Sequence, residues 1–328
     1  MKKLKYLSPS SISCWLENRE YFYVKYLADD APDRDPQTQP MSVGSSFDAH
    51  VKSFIHNALF GKSDKFEFQT LFEAQVEPHN RDWALGAGKH AFDSYRYAGA
   101  LSDLMLMLRD AEGEPQFEFT VQGVVEHVRD GFVVNVGGVN LLGKPDAYFT
   151  SKCGNKIILD WKVNGFCSKA GHSPKPGYII IRDGNQQNSR GTNKPHKDCI
   201  IQRLSDSVHI NCNTTMDVVE QDWARQISIY GWLLGNTVGS DFIAAIDQLV
   251  CKPSEGMYPT IRVAEHRTFI SKEFQFDTMK VACDIWETCK TDHIFRDLSH
   301  EDSIKRQQTL DKQAQTLRSD PALLALLK

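Results

Sequence analysis

The hydrophobic period of this chain changes near residue 110, and that change restricts the fold more than any other feature. Up to about Arg109, apolar residues recur every three to four positions, the period of a helix with one buried face. Beyond it come short runs at 116–122, 124–128, 132–136, 141–150 and 156–163, rich in β-branched and aromatic residues. Gly123, Asp130-Gly131, Gly137-Gly138 and Gly154-Asn155 punctuate them, as turn formers do between paired strands. Helices followed by an antiparallel meander are therefore expected. The helical part opens at Ser8-Pro9-Ser10-Ser11, a helix-start signal, and one aromatic-rich helix is predicted over 7–27. A loop with four aspartates and three prolines follows at 28–40, then a helix at 41–60 with Phe47, Val51, Phe54, Ile55 and Leu59 on one side. After the meander, 217–234 and 274–290 read as helices, 241–250 and 260–266 as strands, and 301–327 as largely helical.

The predicted fold class is α/β: a central mixed sheet, antiparallel meander plus further strands, flanked by helices. Residues 1–110 form its mainly helical N-terminal part, 111–270 its core, and 271–328 the C-terminal helices. The 328 residues carry 41% apolar and 24% charged side chains, the balance of a water-soluble globular protein. No apolar run reaches the length of a membrane span, and polar Ser8-Pro9-Ser10 stands where a signal peptide needs its apolar region. A cytoplasmic protein with no membrane partner is expected. Eight scattered cysteines (14, 153, 167, 199, 212, 251, 283 and 289) include no Cys-x-x-Cys, so neither a zinc site nor a disulfide framework is predicted.

Chemistry concentrates at two motifs. Gly143-Lys144-Pro145-Asp146 is followed by the apolar run Ile157-Ile158-Leu159, which leads into Asp160-Trp161-Lys162. In a strand, Asp160 and Lys162 share one face and Trp161 points to the core. A second acid arriving from a neighbouring strand would complete a pair of oxygen ligands for a divalent cation. The lysine could then act on water or on the charge that builds on a phosphate. Each motif alone is common, as a strand end or a turn; their order and separation give them weight. On the predicted helix 217–234, Gln226 and Tyr230 lie four apart and so on one face, able to hold a phosphate or orient the acids. Between Gly165 and Arg203, seven basic residues (Lys169, Lys175, Arg182, Arg190, Lys194, Lys197 and Arg203) face only Asp183 and Asp198, a local charge of +5. This segment, part of an insertion at about 165–213, reads equally as a solvated loop or as a phosphate-contacting one. Within it Arg182, Arg190 and Lys194 are the candidate DNA contacts.

Together these motifs resemble the PD-(D/E)XK nuclease superfamily, in its RecB-like and phage-exonuclease-like branch. The resemblance runs from about Leu7 to about Val250, through Ser8-Pro9-Ser10, Gly143-Lys144-Pro145-Asp146, Ile158-Leu159-Asp160-Trp161-Lys162 and Gln226-Ile227-Ser228-Ile229-Tyr230. It implies a restriction-endonuclease-like core in which Asp146, Asp160 and the carbonyl of Trp161 hold Mg²⁺ or Mn²⁺. Lys162 would be the catalytic lysine, and Gln226 and Tyr230 the supporting motif. The branch commonly carries Gly-x-x-x-His on an early helix; here Gly44 leads to Asp48 at that spacing, with His50 two further on. Asp48, an oxygen donor, is the favoured metal ligand and His50 the alternative. Glu118 is a lesser candidate, since some members place an acid in that strand. Iron–sulfur members have cysteines where this chain has Asn18-Arg19 and the sparse pair Cys283 and Cys289, so no cluster is expected. The implied activity is metal-dependent hydrolysis of DNA, as an exonuclease acting on ends in recombination or repair. An endonuclease or processing nuclease of a defence system is the alternative enzyme. A DNA-binding subunit without turnover is the alternative from another class, disfavoured by the intact Asp146, Asp160 and Lys162. The resemblance also admits a homo-oligomer and a single-strand-annealing protein as partner.

Overall fold

The computed structural model describes residues 2–31, 35–117, 126–128, 131–164, 181–182, 185–186, 200–250 and 263–291, with a few positions beyond 303. In chain order its elements are α1 (Pro9–Glu17), α2 (Arg19–Tyr26), α3 (Gln39–Phe60), α4 (Phe68–Gln75), α5 (Arg81–Ala98) and α6 (Ala100–Arg109). Strands β1 (Ala111–Phe117), β2 (Glu126–Val128), β3 (Gly131–Val136), β4 (Val139–Gly143), β5 (Ala147–Ser151) and β6 (Lys156–Asn164) follow. The short β7 (Ile181–Arg182), β8 (Asn185–Gln186), β9 (Ile201–Arg203) and β10 (His209–Asn211) precede α7 (Met216–Val219) and α8 (Gln221–Leu233). Then come β11 (Ile243–Val250), β12 (Val263–Thr268) and α9 (Lys272–Thr291). These pack as two compact units, neither of them continuous in sequence: Met1–Asp35, Val133–Leu142 and Met279–Lys328 form one, Pro36–Phe132 and Gly143–Thr278 the other.

In the first unit the helix start is built as the sequence predicts. Ser8 Oγ accepts from the Ser11 N–H at 3.2 Å, Ser11 Oγ accepts from the Ser8 N–H at 2.8 Å, and Pro9 takes the first helical position. The single helix expected over 7–27 is instead two. Asn18 is extended and its Oδ1 accepts from the Tyr21 N–H at 3.0 Å, capping α2 afresh. A short side chain that bonds the backbone competes with the helix ladder, and here it ends one helix and starts the next. Trp15 and Phe22 meet edge to face across the joint, 5.1 Å between centroids.

The second unit holds the central sheet, in the order β1-β5-β6-β11-β12. β6 and β11 run parallel; the other neighbours are antiparallel. A mixed α/β sheet flanked by helices was expected, but the simple meander was not right. The run 141–150 breaks at Lys144-Pro145-Asp146, so that β4 joins β3 in another sheet while β5 enters the central one. Pro145 has no N–H to give a ladder, and the chain changes sheets there. The parallel β6–β11 pair requires a crossover, and α8 lies within it.

β6 divides the unit. Its Ile157, Leu159 and Trp161 pack with Phe47, Val51 and Ile55 of α3, Tyr95 of α5 and Leu104 of α6 in the main core. Its Ile158 faces α8, where Gly231 leaves room for the strand. A Cβ on Gly231 would lie 2.8 Å from the Phe242 ring and 3.1 Å from Ile158 Cδ1. Among the described residues no helix is long and apolar enough to cross a membrane.

Candidate functional site

Alternation along β6 sets Trp161 against the helices and carries Asp160 and Lys162 to the α8 side. Trp161 meets Phe47 edge to face at 6.4 Å, and its indole N–H donates to the Tyr95 hydroxyl at 3.3 Å. On the opposite face, Gln226 of α8 binds both strand residues. Its Oε1 accepts from Lys162 Nζ at 2.5 Å, and its Nε2 donates to Asp160 Oδ1 at 3.2 Å and to the Tyr230 hydroxyl at 2.7 Å. The charges on either side fix the amide: oxygen toward the ammonium, nitrogen toward the carboxylate. One helical turn separates Gln226 from Tyr230, so one helix face serves the whole chain of contacts.

Asp146 arrives from the other side. β5 pairs Ala147 with Leu159, and one step beyond that pair Asp146 Oδ2 accepts from the Trp161 N–H at 2.9 Å. A side-chain carboxylate thus takes a main-chain donor where the β5 ladder has ended. Gly143, at the head of this motif, is small for a packing reason. A Cβ there would stand 2.4 Å from Leu233 Cδ1 and 2.8 Å from Tyr230 Cε1. The Tyr230 ring leans on the backbone that leads to Asp146.

Asp48 and Lys52 come from α3. Lys52 is 3% exposed, and its Nζ pairs with Asp48 Oδ2 at 2.6 Å. The Asp146 carboxyl is pushed well above the usual range, first by burial, then by the negative charges of Asp160 and Asp48. The Lys52 charge and the Trp161 N–H pull it back in part. Asp48 therefore stands within electrostatic reach of Asp146. His50 does not share that place. Its ring stacks between Phe68 at 3.8 Å and Phe92 at 5.3 Å, and burial lowers its pKa to about 4. Its Nε2 is buried without a hydrogen-bond partner. Arg182 falls in β7; Glu118, Arg190 and Lys194 lie outside the described residues.

Comparisons with protein families, curated proteins and solved structures gave no match.

The donors suit a hard divalent cation in kind, being oxygen throughout. Asp160 is 4% exposed, and its Oδ2 lies 2.5 Å from Lys162 Nζ yet makes no hydrogen bond of good geometry. That contact is a charge pairing without alignment, and it leaves one buried carboxylate oxygen for another positive partner. Among the described residues, however, no three carboxylate, imidazole or thiol side chains stand close enough to form a closed metal cage. Asp146 and Asp160 are the residues that could hold a cation, and main chain and water would have to complete its shell.

Two features escaped the sequence reading. Lys52 looks like one half of an ordinary solvated Asp–Lys pair at i,i+4, and only burial sets it apart. The second is a charged set behind β6. Arg267 Nη2 lies 2.5 Å from Asp247 Oδ1 and 3.9 Å from Glu265 Oε2, and the Tyr95 hydroxyl donates to Asp247 Oδ2. Burial and the Asp247 charge drive the Tyr95 pKa well above its ordinary value. Polar residues stand side by side in these strands, Asp247-Gln248 in β11 and Glu265-His266-Arg267 in β12. Alternation therefore does not single out this set, and nothing in the sequence brings Tyr95 to it.

Proposed function

We propose that this protein is a metal-dependent deoxyribonuclease that hydrolyses phosphodiester bonds, acting on DNA ends. The observation that carries the reading is the Gln226 amide. It ties an acid, a lysine and a tyrosine from two elements into one hydrogen-bonded unit beside a second acid. A surface Gln near a half-buried Tyr would have no reason to saturate its amide in this way. In this reading Asp146 and Asp160 hold Mg²⁺ or Mn²⁺, with the Trp161 carbonyl as a further ligand and Asp48 nearby. The cation would polarise a phosphoryl oxygen and make water a better nucleophile.

The chain's own residues have separate tasks. Water attacks phosphorus, the P–O bond opposite breaks, and the leaving oxygen takes up a proton. Lys162 is partly exposed, so its ammonium can face the charge that grows on the non-bridging oxygens. Gln226 holds Lys162 and Asp160 at fixed positions, and Tyr230 steadies Gln226 from the next turn. The resemblance to phage-type exonucleases, carried by the motifs described above, favours an end over an internal bond.

The deciding experiment gives purified protein and Mg²⁺ an end-labelled linear duplex and a closed circle. Degradation of the linear form alone, abolished by EDTA and by Lys162→Ala, is the expected result. Cutting of the circle would select the endonuclease. If Lys162→Ala keeps activity within about tenfold of wild type, roughly 1.4 kcal/mol in barrier, the catalytic role of the lysine is rejected. No cleavage of either DNA, with binding retained, would leave the reading of a DNA-binding subunit.

A further inference from the structure

We propose that Lys52 is a positioning residue that sets the affinity of the acid site for its divalent cation. It does so by acting as a resident counter-charge for Asp48 and Asp146. The inference rests on the metal-dependent reading above.

A lysine 3% exposed is unusual, because burying an ammonium is costly unless anions surround it. Lys52 has such an anion in Asp48 at 2.6 Å, and its charge extends to Asp146. The helix cannot turn it away. Val51 and Ile55 on the same helix are fully buried in the main core, so the face that carries Asp48 and Lys52 is fixed toward the site. Three carboxylates, Asp48, Asp146 and Asp160, then stand near two ammoniums, Lys52 and Lys162. With all five ionised, as when an arriving cation displaces the Asp146 proton, the five side chains together hold one negative charge. A divalent cation turns that to one positive charge, and a single phosphodiester neutralises it. Without Lys52 the set would hold two negative charges. The cation would then be bound more tightly, and the phosphate would meet a site with no charge left to attract it.

A purely structural lysine and a counter-charge therefore predict different signs. A structural lysine, once removed, loosens the helix and weakens every ligand. A counter-charge, once removed without loss of fold, strengthens the cation and weakens the phosphate. The test measures Mn²⁺ binding to the full-length, metal-stripped protein by calorimetry, and then binding of a duplex in Ca²⁺. Lys52→Met keeps most of the side chain, one atom shorter, without its charge; Lys52→Arg keeps the charge. For Lys52→Met, Mn²⁺ binding about tenfold tighter than wild type and duplex binding several-fold weaker are expected, with Lys52→Arg close to wild type in both. Mn²⁺ binding equal to or weaker than wild type in a Lys52→Met protein of unchanged circular dichroism overturns the proposal and leaves the nuclease reading intact. If wild type binds no Mn²⁺, the metal-dependent reading fails and this proposal fails with it. Should Lys52→Met not fold, Lys52→Gln carries the same test with the same two signs.

Discussion

His50 and Lys52 stand two positions apart on α3, and the helix carries them into different surroundings. Lys52 reaches the acids, whereas His50 lies flat between Phe68 and Phe92. The histidine ring acts as an aromatic filler, and its environment penalises the charged form. The folded protein keeps it neutral down to about pH 4, while an unfolded chain protonates it near the ordinary 6.5. Between those values the unfolded state holds more protons, so this residue's contribution to stability falls as pH drops from 6.5 and is gone below about 4. After discounting for partial exposure, the effect is about 1–2 kcal/mol. Urea unfolding at pH 7.5 and 4.5 should show wild type losing more stability than His50→Phe by that amount. An equal loss in both proteins would mean the ring is free to protonate in place. At this scale, Asp160 and Lys162 were legible because strand alternation leaves no choice of face. Gln226 and Tyr230 were legible because i,i+4 spacing does the same for a helix. Which of Asp48 and His50 comes near the acids was less so, because both lie on α3 and the deciding contacts come from α4 and α5.

Gly143, which leads toward Asp146, is closely met by α8. The Gly143 backbone is pressed by Tyr230 and Leu233 of α8, so its missing side chain sets how near that helix approaches the site. Gly143→Ala would place a methyl group 2.4 Å from Leu233 Cδ1 and drive α8 outward. Overpacking of this kind costs about 1–3 kcal/mol, and it should move Gln226 away from Lys162. A lower melting temperature with a larger loss in turnover than in DNA binding is expected, measured by calorimetry and steady-state kinetics. Wild-type turnover would show that α8 can adjust without disturbing its amide. The sequence makes Gly-x-x-Asp look like a turn; only the packing against α8 gives the glycine its reason. The break of one predicted run into β4 and β5 was hidden for a similar cause. Pro145 ends a ladder, but where the chain goes next depends on strands far along the sequence.

At the scale of the whole molecule, the net charge of −4 gives no general attraction for DNA. On the proposed function, DNA binding would depend on local positive charge, and the segment 165–203 carries a local excess of +5. Replacing Arg182, Arg190 and Lys194 together by alanine should flatten the salt dependence of DNA affinity by roughly 2 to 3 units if all three meet phosphates. An unchanged slope would make the segment a solvated loop. Helices before residue 110 and strands after it were readable from period alone, but the runs at 7–27 and 141–150 each proved to be two elements. Period does not tell a parallel neighbour from an antiparallel one. Strand order was not readable either: β1 lies beside β5, and β11 beside β6 across the long crossover, because pairing partners are chosen by packing over long separations.

The strand that bears Asp160 and Lys162 is gripped from both faces. α8 holds it on the site side, and Phe47, Tyr95 and the buried Asp247–Arg267 pair stand behind it. Such a strand has no private route of opening. The amide proton of Trp161, bonded to Asp146, should exchange with solvent only when the whole unit comes apart. Heat would then not loosen the site ahead of the fold; both would be lost in one event.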